Sequence, residues 1–182
     1  MTLNKTDFLI IGSGIAGLTF ALKVAEFGDV ALVTKKGIME SNTSYAQGGI
    51  ASVFGKLDSF DFHIQDTLAS GDGLCNRDVV EMVVKNGPDR IRELIDLGVN
   101  FNLREGQPSS PGSPDVEPDL DLGREGGHSQ KRIVHAHDMT GKEVESVLVE
   151  HVKNNRRIHL FENHIAIDLI NRRQLRQFRT RQ

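Results

Sequence analysis

Three stretches of this chain carry residue types at spacings from which chemistry can be built. The first is Gly12-Ser13-Gly14-Ile15-Ala16-Gly17, entered directly from the apolar run Asp7-Phe8-Leu9-Ile10-Ile11. That run is long enough for a buried parallel strand and too short for a core helix. Gly12 permits a tight exit from the strand, Gly14 lets main chain approach a pyrophosphate with no Cβ in the way, and Gly17 lets the next helix sit close on the strand. The helix start then offers unpaired N–H groups and a positive dipole end to phosphate oxygens. A nicotinamide dinucleotide site would place an acidic residue roughly 20 positions later, at the end of the second strand. Thr34 and Lys35 stand there instead, so the turn reads as nucleotide-binding without a nicotinamide signature.

The second stretch is Ser41-Asn42-Thr43-Ser44-Tyr45-Ala46-Gln47-Gly48-Gly49-Ile50-Ala51. Its hydroxyls, amides and paired glycines can donate hydrogen bonds to a polar heterocycle and let a ring face lie against main chain. The third is Gly123-Arg124-Glu125-Gly126-Gly127-His128-Ser129-Gln130-Lys131-Arg132-Ile133-Val134-His135-Ala136-His137-Asp138-Met139-Thr140-Gly141, in which charged residues flank paired glycines as in a polar turn pressed on a ligand. Each of these two, taken alone, also fits a polar surface loop. His135 and His137 alternate as strand residues do, but no further ligands recur at metal-site spacing.

Together the three stretches resemble the FAD domain of the flavoprotein family that contains succinate dehydrogenase, fumarate reductase and L-aspartate oxidase. The resemblance implies FAD, with Gly12, Ser13, Gly14, Ile15, Ala16 and Gly17 at the pyrophosphate, Lys35 near the adenosine, and Asn42, Thr43, Ser44, Tyr45, Ala46, Gln47, Gly48 and Gly49 around the isoalloxazine. Respiratory members carry a flavin-linking histidine where Asn42 stands, so the resemblance implies non-covalent FAD. The third stretch resembles the Arg-Glu-Gly-Gly-His-Ser signature of the L-aspartate oxidases, whereas the respiratory members have an apolar aromatic in the place of Glu125. A carboxylate there can orient a substrate ammonium group by a charge-assisted hydrogen bond, and His128 is expected to supply local polarity.

These groups need a scaffold, and the pattern around them predicts an α/β, Rossmann-like FAD-binding domain with a parallel sheet and flanking helices. Strand Val30–Thr34 follows helix Leu18–Phe27, and Ile158–Phe161 and Ile165–Ile170 read as further short strands; the resemblance implies that the third parallel strand packs beside the first. Helices are predicted at Ser59–Ser70, at Asn76–Asn86 with Val79, Met82 and Val83 inward, at Pro88–Leu97 ended by Gly98, and at Gly141–Asn154 with Thr140 as N-cap. In the last of these Val144, Val147, Leu148 and Val152 form the buried side. His63 reads as a lone helical histidine engaged in packing or solvated, and Cys75 as idle. Glu105–Asp121, with Pro108, Pro111, Pro114 and Pro118, cannot continue a helix or central strand.

The expected organisation is an FAD-binding domain over 1–170 and a disordered basic tail over 171–182. Relative to the family the domain is incomplete, and the capping and helical C-terminal domains are absent. At 182 residues the chain can bury a substantial core. A formal charge of −3, one Tyr and no Trp give no case for nucleic acid. No apolar run approaches a membrane span and no signal peptide opens the chain, so a cytoplasmic location is expected. With Cys75 as the single cysteine, no internal disulfide can form.

The resemblance implies FAD-dependent oxidation of L-aspartate to iminoaspartate with oxygen or fumarate as acceptor. This is the first step of NAD biosynthesis through quinolinate, with quinolinate synthase as a partner. The alternatives are a fumarate reductase or succinate dehydrogenase flavoprotein and a non-catalytic nucleotide-binding fragment.

Overall fold

The computed structural model describes residues 5–104 and 119–171. Most of the proline-rich run and nearly all of the basic tail lie outside the described residues. The chain divides into two compact units, one formed by Met1–Glu40 with Val152–Gln182 and the other by Ser41–His151.

In the first unit β1 (Phe8–Ile11), β2 (Val30–Val33) and a final strand β6 (Ile158–Phe161) form a parallel sheet in the order β1-β2-β6. Phe8 pairs with Val30 and Ile11 with Val33, while Val30 pairs with Ile158 and Val33 with Phe161. The third parallel strand therefore lies beside β2, not beside β1 as the resemblance implies. The reason is visible in β2, whose Val30, Ala31 and Leu32 are all buried. An apolar strand of that kind is stable where both faces and both edges are covered. Among the described residues β1 is an edge, and Leu9 and Ile11 are 53% and 50% exposed.

Helix α1 (Ile15–Val24) crosses from β1 to β2 and buries Leu18, Ala21 and Val24. Arg157 Nη1 donates to the carbonyls of Ala25 and Glu26, each at 3.1 Å, and so satisfies acceptors at the C-terminal end of α1. The predicted strand Ile165–Ile170 does not form. Beyond β6 the chain turns through Asn163, which has a φ of 57°, and Ile165, Ile167, Leu169 and Ile170 are exposed with no paired strand among the described residues.

In the second unit β3 (Ile50–Ala51), β4 (Leu122–Gly123) and β5 (Ile133–Val134) form a small antiparallel sheet in the order β3-β5-β4. Helix α2 (Phe60–Ser70) starts at Ser59, whose hydroxyl accepts from the Phe62 N–H at 3.1 Å. It packs on α3 (Arg77–Asp96).

The two helices predicted around Pro88 are one, with Pro88 inside α3. Proline removes a single helical donor, and its ring is buried in the stripe Val84, Pro88, Ile91 and Leu94, which holds the helix together across it. Val79, Met82 and Val83 are not the inward face; they are 50%, 57% and 60% exposed. Gly98, with a φ of 103°, ends α3 as predicted.

Helix α4 (Thr140–Asn154) begins at Thr140 itself, whose hydroxyl accepts from the Ala136 N–H at 3.0 Å. Thr140 thus secures the segment before the helix rather than capping it. Val144, Leu148, Val149 and Val152 are buried, so Val149 takes the place expected for the half-buried Val147.

Candidate functional site

In the first unit the turn after β1 has the geometry its glycines demand. Gly12 has a φ of 107°, and a Cβ at Gly17 would overlap the Gly12 carbonyl oxygen. The Ser13 and Thr34 hydroxyls lie 3.0 Å apart and both residues are buried, which ties the turn to the end of β2. Ser13 therefore ties its side chain to the scaffold, and its main chain leads into the start of α1. Gly14 is the N-cap of α1 and supplies no capping side chain, which leaves the helix start suited to an anion. Lys35 follows β2 and is exposed.

In the second unit the stretch Ser41–Gly49 is a series of turns fastened from below. The Ser41 hydroxyl donates to Glu145 Oε1 at 2.6 Å and accepts from the Thr43 N–H at 3.0 Å, and the Ser44 hydroxyl donates to Glu145 Oε2. The Ala46 N–H donates to the Thr43 carbonyl at 3.1 Å, and Gly141 N–H to the Ala46 carbonyl at 3.0 Å. Asn42, Tyr45, Gln47 and Gly48 are exposed. The segment turns its serines inward and its amides and bare main chain outward.

The Glu125 loop meets this stretch. Gln47, Gly48, Gly49, Glu125, His135 and His137 line one open cavity of about 360 Å³. Glu125 Oε1 lies 3.4 Å from where a Gly48 Cβ would be, and Glu125 is exposed. A carboxylate therefore stands beside main chain that could take a flat heterocycle. His135 Nδ1 is 3.2 Å from the Asn102 amide nitrogen, and its Nε2 is 3.5 Å from Asp121 Oδ2. His137 does not continue the strand: its φ is 44°, and its N–H donates to Asn102 Oδ1 at 3.1 Å. Among the described residues no group of three His, Cys, Asp or Glu is placed to hold a metal.

His128 is engaged elsewhere. Its carbonyl accepts from Arg124 Nε at 2.8 Å, and its Nδ1 is 3.3 Å from Arg132 Nη1. A guanidinium only donates, so Nδ1 is the acceptor and the ring proton sits on Nε2. Arg132 is fully buried and also donates to Asp58 through Nε and Nη2, at 2.9 and 2.8 Å, and to Asp66 through Nη1 at 2.7 Å. The Asp66 carboxylate further accepts from the Ser129 N–H and hydroxyl, at 2.7 and 2.8 Å. Partial burial opposes its charge, but the two Ser129 hydrogen bonds and Arg132 outweigh that and hold its pKa at about 2. For Arg132 burial likewise disfavours the charge, and the two carboxylates overcome it and raise its pKa.

His63 completes the group. It is buried, its ring centroid lies 5.8 Å from that of His128, and its Nδ1 has no hydrogen-bond partner among the described residues. Burial, then the nearby Arg132 and His128, lower its pKa. It is thus part of a cluster, where sequence alone reads a lone helical histidine. Cys75 is half-buried and its Sγ is 3.7 Å from the Thr67 carbonyl oxygen.

Sequence reasoning missed Asp58, Asp66 and Glu145, and met Arg132 only as a member of the third stretch, with no role assigned. The one available signal was a charge falling where burial was expected, as Glu145 does beside Val144 in α4.

The FAD binding domain family model matches residues 7–180. An L-aspartate oxidase of Nicotiana tabacum is 51% identical over 164 residues, covering 90% of this chain and 24% of that protein. An L-aspartate oxidase of Vibrio cholerae is 42% identical, covering 92% of this chain and 30% of that protein. Among solved structures, an E. coli quinol fumarate reductase chain superposes with a TM-score of 0.82 at 31% identity, over 94% of this chain and 28% of that one. The chain spans about a quarter of the length of the curated relatives it matches.

Proposed function

From the premise that this chain belongs to the FAD binding domain family, we propose that it is the FAD-holding part of an L-aspartate oxidase. The observation that carries this reading is the placement of the Glu125 carboxylate against Gly48 in one cavity. Bound by the residues named below, FAD would supply the hydride-accepting chemistry for oxidation of L-aspartate to iminoaspartate, with oxygen or fumarate as final electron acceptor.

This chain's own residues hold and orient. Main chain at Gly12, Ser13, Gly14, Ile15, Ala16 and Gly17 takes the pyrophosphate, and Lys35 the adenosine end. Asn42, Thr43, Ser44, Tyr45, Ala46, Gln47, Gly48 and Gly49 take the flavin, without a covalent bond because an amide replaces the linking histidine. Glu125 would accept hydrogen bonds from the substrate ammonium and so orient the amino end of the substrate. His128, through its contacts with Arg132 and His63, stiffens the loop that carries Glu125.

The reading extends to the first step of NAD biosynthesis, with quinolinate synthase receiving the imine product. No helix among the described residues is long and apolar enough to cross a membrane. The tobacco relative is a chloroplastic protein by name; for this chain we place the enzyme in a non-membrane compartment, the cytoplasm by default.

Titrating the purified 182-residue chain with FAD tests the first half of the proposal. Saturable quenching of flavin fluorescence, with the flavin released on denaturation, is expected; a chain that leaves flavin fluorescence unchanged refutes it. Peroxide release with L-aspartate by a longer chain carrying this stretch tests the second half. Oxidation of succinate in preference to L-aspartate would favour the respiratory flavoproteins instead.

A further inference from the structure

Glu145 is fully buried on α4, and the hydroxyls of Ser41 and Ser44 donate to its two carboxyl oxygens. Among the described residues no cation pairs with it. Taking a carboxyl group out of water with neither solvent nor a counter-charge is costly, and such an arrangement persists where hydroxyl donors satisfy both oxygens.

One helical turn earlier, on the same face of α4, Gly141 donates its N–H to the Ala46 carbonyl at 3.0 Å, and a Cβ at that position would overlap the Thr43 carbonyl oxygen. The stretch Ser41–Ala46 is therefore gripped at two points by one rigid element. Its outward side, Asn42, Tyr45, Gln47 and Gly48, is exposed.

We propose that Glu145 is a positioning residue for flavin recognition: by clamping Ser41 and Ser44 from inside, it presets the turn whose outer amides and main chain receive the isoalloxazine ring. The inference rests on the assignment of Asn42–Gly49 to the flavin. It adds a residue that touches no ligand and acts through two serines. Preorganisation of this kind raises affinity by removing the ordering cost from the binding step. Its effect falls on the flavin half of FAD and spares the pyrophosphate half, which the Gly12–Gly17 turn serves.

The test compares FAD with ADP on the 182-residue chain. Glu145→Ala is expected to raise Kd for FAD by about tenfold, the equivalent of losing one or two good hydrogen bonds, while Kd for ADP moves by less than about twofold. Glu145→Gln keeps one acceptor and recovers part of the loss; it also serves if the alanine variant does not fold. Ser41→Ala with Ser44→Ala should weaken FAD binding at least as much as Glu145→Ala, and adding Glu145→Ala to that pair should cost nothing more.

If FAD and ADP affinities fall together, or neither falls, Glu145 is a structural residue and the proposal is overturned. If the unaltered chain binds ADP and FAD equally well, the flavin assignment itself fails, and the role of Glu145 with it.

Discussion

Arg132 grips Asp58 by both carboxylate oxygens, at 2.9 and 2.8 Å, with the two side chains 0% and 1% exposed. A planar guanidinium matches a carboxylate in this two-pronged way, and lysine does not. Removing one partner strands the other charge in the interior. Arg132→Met is expected to destabilise the chain by about 3–5 kcal/mol, and Arg132→Lys to restore only part of it. Urea unfolding followed by circular dichroism measures both. By contrast, loss of the exposed Lys36–Glu40 pair through Lys36→Ala should change stability by less than about 1 kcal/mol.

Acid should weaken the fold in two steps. The His63 pKa is lowered from 6.5 in the native chain, first by burial, so the unfolded state takes up a proton there more readily. Stability from this group is present above pH 6.5 and declines as pH falls below it. The Asp66 pKa of about 2 lies under its ordinary 3.8, so its contribution is complete above pH 3.8 and disappears as pH falls through 2. Unfolding curves between pH 7 and 2 should show both declines, and Asp66→Asn should flatten the lower one. A titration of the His63 ring by NMR with a midpoint above 6.5 would contradict the first.

Under the proposed function, Glu125 would discriminate an amino acid from a plain dicarboxylate. In a longer chain that turns over L-aspartate, Glu125→Gln is expected to lower kcat/KM for L-aspartate by about 10- to 100-fold, the scale of one charged hydrogen bond. Fumarate reduction by the same variant should fall far less. Equal losses for the two substrates would remove the ammonium role.

At Gly17 a single methyl group meets the Gly12 carbonyl oxygen. Gly17→Ala should push α1 off β1, with a stability loss of about 1–3 kcal/mol and loss of both FAD and ADP binding. Paired thermal melts and ADP titrations report on it.

The turn after β1 was legible because its geometry is local: six consecutive residues carry both the strand exit and the start of α1, the place proposed for the phosphates. The capped helix at Ser59 and the end of α3 at Gly98 were legible for the same reason. Pro88 misled because the rule that proline stops a helix counts one lost hydrogen bond and ignores the packing of Val84, Ile91 and Leu94 around it. The order of the parallel strands depends on which edge of β2 is left for β6, a choice that short-range pattern does not encode. The Arg132 network was hidden for a different reason. Its partners lie 74 and 66 positions away, and the two serines clamped by Glu145 lie 104 and 101 positions away. No periodicity links residues at such separations. Glu125, in contrast, could be named from its place in a signature, although its approach to Gly48 could not.

The open side of β1 sets a practical condition on handling this polypeptide. Leu9 and Ile11 project from a strand that, among the described residues, has no partner along one margin. Such a border is a template for pairing with identical chains. Concentrated samples should self-associate through it, and a Lys placed at position 9 would keep them dispersed.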